Sequence, residues 1–382
     1  MPGELVEKAK RYEEALREHH DADGLVVPVV YPPLGEGKPA ADFRHATEMT
    51  GQYLAALSFR HAVAPDSESH ERLRQCVAAL GRAVEITGVP GALARAYRRV
   101  PGRYAVRDDE TGWNPAGEWE WLGPSGYHEW GAVLFGLSAC YAVSDSAIRA
   151  AVEDQVRLLV GAFVDAGLSI PWAGDRRPPD SEFAPERSPK RFLPLQALFY
   201  LKVGYQTTRE PRFQDAYMSL IREHAYHTRA VRMWHAPGDY WRSDHDCRSF
   251  QAYYVLMQHE DDAEILAGYR KLLDLNWSNV RGTGRALLAL IYRALIQDSD
   301  AEEEALEALR QFPSSKVDFQ PVVGPPPRNF VEPPPLSARP PVLFEWYAAP
   351  YRAWYPAAIY CGVDYLLAYW LGRYHRLIGG QD

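Results

Sequence analysis

Residues Tyr127–Ala166 read YHEWGAVLFGLSACYAVSDSAIRAAVEDQVRLLVGAFVDA, and this stretch decides the fold. Its first half, Tyr127–Val143, is apolar with helical spacing, and Leu134, Leu137 and Tyr141 fall on one face. Its second half, Ser146–Ala166, carries charges along a regular stripe between Ala147 and Leu159. Ser144 or Asp145 can accept the orphan backbone N–H groups that open the second helix. An apolar helix turned sharply into a half-charged one is an antiparallel hairpin with an inside and an outside.

The same spacing extends in both directions. It marks helices at Glu4–His20, Asp42–Val63, Glu68–Thr87, Pro189–Gln206, Glu210–His227 and Asp246–His259. Further ones follow at Asp262–Leu275, Val280–Gln297, Ala301–Gln311 and Tyr355–Leu377. Asp66 or Ser67, and later Asp261, are placed as caps. About twelve helices in consecutive pairs predict an all-α, (α/α)6 toroid: six hairpins closed in a ring, with inner helices lining a funnel. A stacked solenoid would need a fixed repeat period, and none is found. The best strand signal is Gly24–Val30, expected as a short hairpin or extended crossing. Pro321–Pro341 is too rich in proline to be helical. It is expected as a rigid strap leading the last helix back to the ring, so that residues 1–382 form one domain.

Composition narrows the function. A formal charge of −8 opposes broad binding to nucleic-acid phosphates. No apolar run is long enough to span a bilayer, and the first residues lack a basic stretch leading into an apolar core, so a cytoplasmic setting is expected. Cys76, Cys140, Cys247 and Cys361 are scattered without paired spacing, and Cys76, Cys140 and Cys361 read as buried thiols. No metal or cofactor is expected, and the partner predicted is a small-molecule substrate.

The chain has 11 Trp and 23 Tyr, many of them in loops beside acids and directly before helices. Such rings suit a cleft that stacks a ring-shaped ligand. Three clusters carry candidate chemistry. In the first, Asp42, His45 and Met49 share a helix face, with Asp42 either a cap or an acid and Tyr53 further along. The second holds Trp119, Glu120, Trp121, Tyr127, His128, Glu129 and Trp130, a proton donor and base among aromatic platforms. The third, Trp241 followed by Asp244-His245-Asp246-Cys247, sets two acids around an imidazole. Arg95 is placed to meet a substrate carboxylate, and Trp346 is a further platform. The expected acids and bases are Asp42, His128, Asp244 and Asp246.

Two resemblances extend this reading. Thr50–Leu57, Gly91–Ala96 and Gly362–Trp370 are similar to stretches of a bacterial six-hairpin glycosidase-like family. That resemblance implies an α/α toroid acting on a uronic-acid-containing or similar sugar, as a hydrolase or lyase. The sequence departs from the family where Ser125-Gly126-Tyr127-His128 replaces an acidic string, and at Gly282 and Gly284, where an acid and an Asn are expected. Asp244-His245-Asp246-Cys247 also resembles the proton-donating string of squalene-type cyclases, with Arg248 in place of the usual Thr. This implies two alternatives, a cyclase or isomerase with Asp246 as donor, or a ligand-binding protein without catalysis.

Overall fold

The computed structural model describes residues 3–33, 37–106, 111–175, 177–178, 180–187, 193–229, 244–312, 314 and 359–379. Among them the inner helices are α2 (Ala46–Val63), α4 (Tyr127–Val143), α6 (Leu193–Thr208), α9 (Asp244–Gln258), α11 (Ala286–Ile296) and α13 (Val363–Tyr374). The outer helices are α1 (Glu4–His19), α3 (Ser67–Glu85), α5 (Ser146–Asp165), α7 (Pro211–Arg222), α10 (Ala263–Val280) and α12 (Ser299–Gln311). A short α8 (Tyr226–Arg229) lies between α7 and α9 in sequence. The inner helices pack in a circle: α2 on α4, then α6, α9, α11 and α13, which returns to α2. Behind them sit α3, α5, α7, α10, α12 and α1 in the same order. Residues of the inner helices are buried nearly all round, whereas α1, α3, α7 and α12 bury one stripe and leave charges in water.

Caps set several of the boundaries. Asp145 accepts from the backbone N–H groups of Ala147 and Ile148, and Asp66 from Ser69. At the start of α10 the cap is Asp262, one residue after the position expected. Between α2 and α4 the backbones touch. A Cβ on Gly51 would lie 2.6 Å from the carbonyl carbon and oxygen of Ala132, and one on Gly136 would strike the Gly51 carbonyl.

Three helix starts move by four residues or more, while Pro189, expected to open α6, lies outside the described residues. Asp42 ends strand β4 (Ala40–Asp42), which pairs with β3 (Val29–Tyr31), so α2 begins four residues later. Gly282 and Gly284 take positive φ and donate to Glu304, which delays α11 to Ala286. Gly362, also at positive φ, precedes α13, and Tyr355 and the strap at 321–341 lie outside the described residues. The Gly24–Val30 stretch supplies β2 (Leu25–Val26), paired with β1 (Asp21–Ala22), and the start of β3. A four-stranded sheet runs β6 (Ala105–Val106), β4, β3, β9 (Ile359–Tyr360). The aromatic loop before α4 is itself a sheet. There β8 (Trp119–Leu122) lies between β5 (Ala96–Arg99) and β7 (Trp113–Ala116).

One lysine locks the outer ring. Lys8 on α1 is 3% exposed and donates to the carbonyls of Leu309, Arg310 and Phe312 at 3.1, 2.9 and 2.7 Å. These close the carboxyl end of α12, where a cation is favoured. Lys8→Met strands those acceptors and should cost about 2–4 kcal/mol, read as a lower denaturant midpoint with an unchanged slope. An unchanged midpoint would show that water caps α12 equally well.

Candidate functional site

The buried polar side chains gather where the first turns of α2, α4, α9 and α11 meet. Glu48, Gln52, Glu129, Asp246, Arg248, Gln251 and Arg285 are all buried there in an otherwise apolar ring. Helix amino ends carry partial positive charge, so acids at these turns are placed where the backbone favours them. The cost of burying them is offset by pairing.

Glu48 bridges His45 and Arg248. Its Oε2 is 3.0 Å from Nδ1 of His45, and its Oε1 accepts from Nη2 of Arg248 at 3.0 Å. Arg248 also donates to Gln251, whose amide faces that of Gln52. Glu129 accepts from Nε of Arg95 at 3.1 Å and from the backbone N–H of Gly126 at 2.8 Å. Asp246 accepts from Nη1 of Arg285 at 3.1 Å. Tyr127 Oη is hydrogen-bonded to Nδ1 of His245, and their rings are stacked at 5.6 Å with 10° between planes. His128 lies 3.9 Å from the Tyr127 ring and 5.5 Å from His245. His45 and Arg95 keep 31% and 29% of their side chains exposed, so the cluster opens to solvent through them.

The histidines divide by charge. Burial opposes the His45 imidazolium, but the hydrogen bond and charge of Glu48, with Glu129, prevail and raise its pKa above the ordinary value. Burial likewise opposes the Glu48 anion, yet His45 and Arg248 hold it down at about 2. Burial lowers His128 to about 3, with Arg248, His245 and His45 adding to the effect and Glu48 resisting it. The two imidazoles are thus pushed in opposite directions, His128 toward the neutral form and His45 toward the protonated one.

His20, fully buried with Nδ1 on the Val27 carbonyl, is also lowered by burial, to about 4. In both His128 and His20 the folded pKa lies below the unfolded value, so the unfolded chain takes up the proton first. Their stabilising contribution is whole above about pH 6.5 and is lost as pH falls toward 4, about 3 kcal/mol for His20 alone. Denaturation midpoints measured from pH 7 to 4 should fall, and His20→Gln should flatten much of the slope.

Of the expected residues the structure brings together His45, Arg95, Tyr127, His128 and His245, while Asp246, near them on α9, pairs with Arg285 of α11. Others it places elsewhere. Asp42 accepts from the backbone N–H, Nε and Nη2 of Arg44, so it neither caps α2 nor shares a helix face with His45. Tyr53 points to the outer layer, into a small cavity lined by Leu16, Leu25, Arg72 and Cys76. Trp130 is core, packed against Phe163 and Tyr200. Trp119 is stacked on the outer surface by Arg82 at 4.2 Å and Arg99 at 4.8 Å. Trp121 on the same strand is 7% exposed and packs against Gly123. Trp121 and Trp130 are taken up by packing, and Trp119 by surface arginines. Trp241, Trp346 and the side chain of Asp244 lie outside the described residues.

Glu48, Gln52, Arg248 and Gln251 were missed as site residues. Their signal was polar side chains inside helices that are otherwise buried on every side. The ligand atoms of His45, Glu48 and Glu129 lie within 4.8 Å of one another, within reach of one cation. Each carboxylate already carries a guanidinium, so the arrangement is an ion-pair network.

Solved structures share this architecture. The chain is similar to a GH76 α-mannanase of Bacteroides thetaiotaomicron, with a TM-score of 0.53 and 9% identity over 98% of this chain and 95% of that one. The chain has the six-hairpin α/α-toroid fold. A Bacteroides ovatus GH9 protein matches with a TM-score of 0.53 and 7% identity, covering 98% of this chain and 83% of its own. The cellulase Cel9M of C. cellulolyticum, solved with cellobiose, matches with a TM-score of 0.51 and 10% identity over 94% and 88%. No family model matches the sequence, and no curated protein does. Among the described residues, no helix of this toroid is long and apolar enough to cross a membrane.

Proposed function

We propose that this chain is a lyase-like enzyme acting on a sugar or similar ring-bearing small molecule. It would remove a proton from the carbon beside a carbonyl or carboxylate, at the amino ends of the inner helices. The observation that carries the reading is the charge balance of this cluster. Glu48, Glu129 and Asp246 are matched by Arg248, Arg95 and Arg285, and His45, whose pKa Glu48 raises, adds positive charge when protonated. With helix amino ends also pointing in, the site favours developing negative charge, such as an enolate. Glycosidic cleavage passes through an oxocarbenium ion between two carboxyl groups, and cyclisation through carbocations. Both ask for the opposite polarity. Arg285 on the Asp246 carboxylate is an arrangement for an anion rather than for a cyclase proton donor.

In this reading the neutral His128 accepts the proton, a weak base aided by the positive charges that stabilise the developing enolate, and His45, when protonated, donates one to the departing or enolic oxygen. Arg95 orients the substrate, and the stacked Tyr127–His245 pair forms a flat wall. That the mannanase and cellulase sharing the fold act on sugars supports a sugar-like substrate. The four cysteines are all buried, which fits a reducing cytoplasmic setting.

The test is proton exchange in D2O across a panel of sugar acids and keto sugars, followed by NMR. Deuterium should enter beside the carbonyl, and His128→Ala should slow it about 100-fold or more. Hydrolysis of a glycoside with no exchange on any panel member would sink the proposal.

A further inference from the structure

We propose that Arg248 is a positioning residue of this pocket, clamping the Glu48 carboxylate so that its second oxygen stays on His45. Arg248 is 1% exposed, too deep to meet a substrate itself. Its side chain leaves α9 and passes α4 at Gly131, where a Cβ would lie 3.1 Å from the Arg248 Cδ and 3.3 Å from Oε1 of Gln196. A glycine there makes room for the crossing. At the far end Nη2 reaches Oε1 of Glu48 at 3.0 Å, while Nη1 donates to Gln251. The Arg248 carbonyl is itself held by Nε2 of Gln196 at 3.1 Å. Arg248 is thus anchored at its backbone by Gln196 and at its guanidinium by Gln251, and it fixes one oxygen of Glu48. The other oxygen, 3.0 Å from Nδ1 of His45, then cannot turn away. Three inner helices, α2, α6 and α9, meet in this one chain of contacts, and a fourth, α4, steps aside for it.

The clamp rests on the proposed reaction only in taking His45 as the proton donor, and its test needs no turnover. The Glu48 carboxyl can be followed by 13C NMR through a pH titration of the full-length protein. In the wild type it should stay ionised below the ordinary glutamate range, as far down as the protein remains folded. Arg248→Lys keeps a cation but loses the planar fork, and should move the midpoint up by about one pH unit, with Arg248→Met moving it further. The His45 ring signals should shift with it. A wild-type midpoint in the ordinary range overturns the clamp, with no variant required. So does a folded Arg248→Lys whose Glu48 titration is unmoved. Neither result bears on whether the protein exchanges substrate protons.

Discussion

Gly51→Ala should destabilise the protein by about 3 kcal/mol or more, a large effect for a single methyl group. The new Cβ would lie 2.6 Å from the backbone of Ala132, and backbone, unlike the tip of a side chain, cannot swing aside. Relief requires α2 and α4 to separate, which breaks the closest crossing in the inner ring. That crossing also sets Glu48 against Glu129 and His128, so the site should loosen with it. Gly81→Ala on α3 is the control. Its Cβ would meet only the side-chain amide of Gln155, at 2.9 Å, which can shift. There the better helix propensity of alanine should leave stability unchanged or about 1 kcal/mol higher. Denaturant midpoints of the two variants should therefore move apart, and equal midpoints would mean that α2 and α4 are not in backbone contact.

The second large effect is expected at Glu48. Glu48→Met leaves Arg248 buried without its anion, and removing one member of a buried pair costs about 3–5 kcal/mol. Joining it to Arg248→Met should return much of that loss, because no charge is then stranded. Proton exchange, if His45 depends on Glu48, should stay abolished in both. The double variant thus separates stability from chemistry. If it is no more stable than Glu48→Met alone, the pair is not coupled as its geometry implies.

The ring of helices was legible because its signals are local. In Tyr127–Ala166 an apolar half, a capping Asp145 and a charged half sit within forty residues, and the observed α4 and α5 follow those boundaries. His45 and Glu48, three apart on a helix, were equally within reach. Arg248 was not, because its meaning depends on Glu48, two hundred residues away, and on the space left at Gly131. The aromatic loop misled for a related reason. Trp119 and Trp121 alternate with Glu120 and Leu122 on β8, a strand pattern, and the sheet turns Trp119 onto surface arginines. Side-chain type suggested stacking, but strand direction decided what was stacked.

The lock between the first helix and the last ones bears on how the protein comes to be folded. Lys8 reaches Leu309, and Tyr365 donates to the Leu5 carbonyl, across 301 and 360 residues of chain. Hairpins such as α4–α5 can form as soon as they are made, but α1, although Glu13 and Arg17 pair with Arg60 and Glu68, lacks the partners of its amino-terminal half until α12 and α13 exist. During synthesis its apolar stripe, with Leu5, Ala9, Tyr12 and Leu16, must wait in the open. Contacts so distant in sequence form late and slowly. Ring closure should therefore be the last and slowest stage of folding, and the stage most prone to aggregation.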